Sequence, residues 1–131
     1  MYIEIDFNSD EAFYIQLRNQ IIMGIATQQL QDGDPLASVR SLAEEIGINM
    51  HTVNKTYSLL KQEGFIKLDR RKGAVVDVDV DHLKALEEVQ QELDIILAEA
   101  RCRGITADEI HGLVDQAYSQ YDDSECGGQE D

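Results

Sequence analysis

The chain has 131 residues, 43% of them apolar and 28% charged, and a formal charge of −15. That length holds one compact core with an appendage, and no run approaches the roughly 20 apolar residues of a membrane span. Two widely separated cysteines, Cys102 and Cys126, imply neither a disulfide framework nor a zinc site, and the start "MYIEIDFNSDEAF" has no basic-then-apolar leader pattern, so the expected compartment is a reducing cytoplasm.

In chain order, Tyr2 to Phe7 reads as an edge strand. A first helix is expected after Ser9 or Asp10, either of which can cap it. Tyr14, Leu17, Ile21, Ile22, Ile25 and Ala26 form its buried stripe, and it closes near Leu30. The run "QDGDP" then supplies turn residues and the single proline, Pro35. Ser38 caps a short helix, "VRSLAEEIG", whose apolar side is Val39, Leu42, Ala43 and Ile46 and whose stop is Gly47. Only Gly47 and Ile48 separate it from the next cap, Asn49, which is the spacing of a helix-turn-helix. The second helix runs to about Glu63, before Gly64. Val53, Tyr57 and Leu60, helped by Met50 and Thr56, face the core, while His51, Lys55, Ser58 and Gln62 share the opposite, wholly polar face.

"FIKLDRRKGAVVDV" alternates around a polar turn and predicts a two-stranded hairpin, with Gly73 in the left-handed position and Arg70, Arg71 and Lys72 at the tip. A helix-turn-helix followed by a basic-tipped hairpin is a winged helix-turn-helix. The fold class is therefore mainly α with a small β-hairpin wing, the winged domain covering 1–78. A helical region, 79–121, follows. Its first helix begins near Asp81 with the stripe Leu83, Leu86, Val89, Leu93, Ile96 or Leu97, and Ala100, and Gly104 closes it. Thr106 to Glu109 fits a capping box for a last helix with Ile110, Leu113, Val114, Ala117, Tyr118 and Tyr121 on its apolar side. Residues 122–131 are acidic with nothing to bury, and are expected to be disordered.

An acidic body repels a phosphate backbone, so distribution decides. Ser38 to Lys72 carries seven basic and four acidic residues, a local +3, whereas Asp81 to the C-terminus carries three against fourteen, or −11. With a Debye length of about 8 Å at physiological salt, two such regions act almost independently. In a helix-turn-helix the start of the second helix meets base edges and the first helix crosses the backbone. Candidate DNA-contacting residues are thus Ser38, Arg40, Asn49, His51, Thr52, Asn54 and Lys55, with the cations Arg70, Arg71 and Lys72 on the wing. A single such module reads too few bases, so pairs bind half-sites about 34 Å apart. Leu83, Leu86, Val89, Leu93, Ile96, Leu97, Ala100, Leu113 and Ala117 are the candidate dimerisation residues, because two helices cannot hide that stripe against a small winged domain.

The stretch "ASVRSLAEEIGINMHTVNKTYSLLKQEGFIKLDRRKG" closely resembles the winged helix of GntR-family transcriptional regulators. The pattern there runs through a "PSVR-LA" helix, a "TV-KAY-LE-EG" helix and a Gly-rich wing, and "FYIQLRNQIIMGIATQQLQDGD" resembles the family's first helix and link. The two C-terminal helices look like those of its small YtrA-like branch, where they serve dimerisation. The resemblance implies a homodimer on a palindromic double-stranded operator, acting as a repressor. It also implies Arg40 on the DNA, Asn49, His51, Thr52 and Lys55 at the start of the recognition helix, and Arg71, Lys72 and Gly73 in the minor groove. Ala37 stands where the pattern has proline, Thr56 where it has a small Ala, and the wing has one glycine where two are frequent.

No catalytic constellation, cofactor or metal is expected. His51, His82 and His111 share no helix turn, and "DVDVDH" at 77–82 lacks the glycine and final Glu of a calcium loop. A small-molecule effector, of a kind the residues do not name, would act between the C-terminal helices and the winged domain. The alternative function is an acidic winged-helix protein-interaction module that no longer binds DNA.

Overall fold

In the computed structural model, residues 2–125 are described, with side chains described as far as Tyr121. The element order is α1 (Phe13–Ala26), α2 (Val39–Ile46), α3 (Met50–Glu63), β1 (Ile66–Asp69), β2 (Gly73–Val76), α4 (His82–Cys102) and α5 (Ala107–Glu125). The mainly helical winged-helix architecture expected from the sequence is present. The chain divides into two compact units, with the boundary between Asp79 and Val80.

The core of the first unit is built from Leu17 and Ile21 of α1, Leu42 and Ala43 of α2, Val53, Tyr57 and Leu60 of α3, and Ile66 and Ala74 of the hairpin, with Ile5 added from the N-terminal segment. Caps set the α2–α3 register. Ser38 Oγ accepts from the Ser41 N–H at 3.1 Å, Gly47 takes φ +77° at the end of α2, and Asn49 Oδ1 accepts from the His51 N–H at 2.7 Å. Each cap satisfies a donor that the first turn leaves free. β1 and β2 pair antiparallel from Ile66↔Val76 to Asp69↔Gly73.

Five expectations are corrected. Residues 2–7 form no strand. They are held by side chains: Gln20 exchanges two hydrogen bonds with the Glu4 backbone and Gln16 two with that of Asp6. Neither Ser9 nor Asp10 caps α1. The helix starts at Phe13 after Ala12, which makes no side-chain cap, because the Ser9 hydroxyl is taken by the Glu11 N–H and the Gln16 side chain donates to Glu11 O. Nor does α1 reach Leu30. Thr27 ends it, its hydroxyl donating to Met23 O, and Gln28 turns the chain at φ +66° so that the Leu30 N–H reaches Gly24 O. Ala26, read as part of the stripe, is exposed, as is Met50, read as a core helper of α3.

The link before α2 behaves as a third strand. Pro35 bridges Val75, with Leu36 N–H donating to Ala74 O and Val76 N–H to Asp34 O on either side.

In the second unit, Asp81 Oδ1 accepts from the Lys84 N–H to start α4, Gly104 lies at φ +80° beyond its end, and the Thr106–Glu109 capping box forms reciprocally. α4 buries no residue, and no described side chain of α5 is fully buried. α5 continues through Glu125, past the expected limit at 121. The rest of the expected disordered tail, with Cys126, lies outside the described residues.

Candidate nucleic-acid interface

The first unit ties the start of α2, the body of α3 and the base of the wing to one another. The Tyr57 hydroxyl, on α3, donates to Ala37 O at 2.7 Å, one residue before the Ser38 cap. Leu36 is bonded in turn to Ala74 of β2. Behind α3, the Thr56 hydroxyl donates to Tyr14 O at 2.9 Å and Arg18 pairs with Glu63 at 2.9 Å, so α1 fixes the helix from its far side. Thr56 is wholly buried, which gives its hydroxyl a role that alanine could not fill. Ala37 contributes its carbonyl as the acceptor for Tyr57, while the nearby proline sits at Pro35 in the strand-like link.

These ties leave an open groove of ≈ 660 Å³ bounded by the start of α2, the outer side of α3 and the inner side of the hairpin. Of the candidate DNA-contacting residues, Ser38, Asn54 and Gly73 line it together. Ser58, Lys61, Gln62 and Leu68, which were not candidates, line it too. Their signal was present in part: Asn54, Ser58, Lys61 and Gln62 follow the three- and four-residue steps of one helix face.

Arg40 and His51 are exposed and Thr52 is half-buried. Asn49 spends its oxygen on the cap, leaving its amide NH₂ as the group that can donate outward. Lys55 does not line the groove; its ammonium lies 3.9 Å from the centroid of the Tyr14 ring, a cation–π contact that leans it towards α1.

At the wing tip Arg70, Arg71 and Lys72 are exposed. The turn is held by Asp69, whose Oδ1 accepts from the Arg71 N–H at 2.8 Å and the Lys72 N–H at 3.0 Å. Those two bonds, first Arg71 and then Lys72, hold the Asp69 carboxyl below its ordinary value. The carboxylate stays ionised at neutral pH, so one anion stands against three cations. Gly73 opens β2 at φ +76°, a conformation that favours glycine. Hydrogen-bonding side chains, a helix N-terminus and a cationic tip on one small scaffold suit a polyanion.

Known proteins support that chemistry. The model of the family described as bacterial regulatory proteins, gntR family, matches residues 13–76. The HTH-type transcriptional repressor YtrA of Bacillus subtilis (strain 168) is 28% identical over 115 residues, which cover 86% of this chain and 88% of that protein. Among solved structures, a transcriptional antiterminator from Listeria monocytogenes EGD-e superposes with a TM-score of 0.77 at 29% identity, over 89% of each chain. YtrA from Sulfolobus acidocaldarius, a GntR-family transcription factor, is 37% identical with a TM-score of 0.59, over 90% of this chain and 97% of that one. Such proteins regulate transcription and are not enzymes. Identity at that level across nearly the whole of a relative is kinship rather than likeness of fold, and the chain belongs to the GntR family of DNA-binding transcriptional regulators.

Proposed function

We propose that the protein is a homodimeric repressor that occupies a palindromic operator in the cytoplasm, each subunit presenting the start of α2, the outer face of α3 and the wing to one half-site. Arg40, His51, Asn54 and the tip cations Arg70, Arg71 and Lys72 make the contacts, with Ser38, Asn49, Thr52, Lys55 and Gly73 shaping or extending the surface. The observation that carries the dimer is the bare apolar stripe of the second unit. Leu86 is 55% exposed, Ile96 57% and Leu113 60%, on helices with no buried residue among the described side chains. Apolar area in that amount is stabilised by covering it, and a second copy offers the same stripe. The repressor name of the Bacillus subtilis relative supports the direction of control. An effector, if one acts, does so by binding differently to the two relations of the paired reading heads.

Gel retardation on duplexes from the chain's own upstream region tests the reading. Binding should weaken steeply with added salt, and Arg40→Ala should weaken it further while lowering the salt slope by about one. Retention of no duplex would favour the acidic interaction module instead. Sedimentation should show Leu93→Asp as a monomer with a folded winged unit; a persisting dimer would move the interface elsewhere.

A further inference from the structure

Leu68 is the residue of the groove that neither the recognition helix nor the wing cations account for. It lies two residues beyond Ile66 in β1, so both side chains leave the hairpin on the same side. Ile66 is 3% exposed in the core, whereas Leu68 is 62% exposed and overhangs the groove. Its partner across the hairpin is Ala74, which also lines the groove. The hairpin's core face therefore runs on past the core as an apolar lip. A lone exposed leucine is ordinary on a protein surface; this one is distinguished by what lines the groove with it. The rest of the lining sets Ser38, Asn54, Ser58, Lys61 and Gln62, all hydrogen-bonding residues, beside Ala37 and Val39.

A sugar–phosphate strand has the same division, with anionic oxygens along one edge and the C–H face of deoxyribose along the other. We propose that this groove seats one sugar–phosphate strand of the bound duplex, its phosphates against Ser38, Ser58 and Lys61 and a deoxyribose packed on Leu68 and Ala74. The proposal rests on the DNA-binding face described above and adds a positioning residue to it. Leu68 fixes the strand's depth and register and reads no base.

Fluorescence anisotropy tests this with a duplex enriched from a random library by the wild-type chain and a scrambled duplex of equal length. Leu68→Ala should weaken binding to both by the same factor, roughly three- to tenfold. The slope of log Kd against log salt should not change, because an apolar contact releases no counterion. Lys61→Gln should weaken both and lower that slope by about one. The melting temperature of Leu68→Ala should match wild type, since the side chain is outside the core. Unchanged affinity in Leu68→Ala overturns the proposal. So does a loss confined to the enriched duplex that disappears when uracil replaces its thymines, since the contact is then to a base methyl. A wild-type chain that binds neither duplex overturns the DNA-binding face itself, and the two failures are told apart by the wild-type measurement alone.

Discussion

Replacing Tyr57 by Phe removes one oxygen and leaves the ring. The hydroxyl donates to Ala37 O at 2.7 Å, the side chain is 6% exposed, and burial pushes the phenol up to about 12 from its ordinary 10. At pH 8 the lost hydrogen bond should cost Tyr57→Phe about 1 kcal/mol. Alkali then acts on wild type alone. In the unfolded chain the phenol ionises from pH 10, and in the folded chain not until about 12. The contribution is thus complete below pH 10 and is lost as pH rises towards 12. At pH 11 it has cost wild type about 1.4 kcal/mol that the variant never loses. Urea unfolding followed by far-UV circular dichroism at pH 8 and pH 11 measures both numbers, and lysines that titrate in the same range cancel between the two proteins. The variant should be the less stable at pH 8 and should equal or exceed wild type at pH 11. A gap of the same size at both values would refute the placement of this hydroxyl under the start of α2.

Thr56→Val keeps the shape and removes the bond to Tyr14 O; urea unfolding should show a loss of about 1 kcal/mol, and none would mean the bond contributes nothing. Gln16→Leu removes three hydrogen bonds, two to Asp6 and one to Glu11. The loss should be about 2–3 kcal/mol, with fast amide exchange across residues 3–8; protection equal to wild type there would show another anchor. Gly73→Ala meets no atom within 4 Å of the added methyl but keeps φ +76°, so it should cost about 1–2 kcal/mol. Hydrogen exchange should place that loss in the hairpin.

The α2–turn–α3 segment was legible because each boundary is written locally. Ser38 and Asn49 cap through their own side chains, and Gly47 and Gly64 take the left-handed turns that end the helices. The hairpin was legible for the same reason, from alternation and Gly73. What escaped is carried by bonds between residues distant in sequence. Gln20 holds Glu4 across 16 positions, which no periodicity reports, and the arm it fixes resembles a strand to any reading of composition. The groove was half visible. Ser58 and Gln62 belonged to the polar face of α3 and Asn54 to the DNA-contacting candidates, but Leu68 read as ordinary hairpin alternation until its place in the groove with Ser38 and Ser58 was known. Lys55 shares the polar face with His51, Ser58 and Gln62 by helical spacing, yet its side chain leans over Tyr14, which depends on how α1 crosses α3.

The bridge between Pro35 and Val75 bears on self-association. Because its flanking bonds run from Leu36 to Ala74 and from Val76 to Asp34, residue 35 occupies the position whose backbone nitrogen points away from β2. On that outward rim any other residue would offer a free N–H to a passing chain, and proline has none. The one proline in the molecule therefore blunts the rim against recruitment into a longer sheet. Exchanging it for a β-branched residue would restore the missing donor and, with it, a foothold for aggregation.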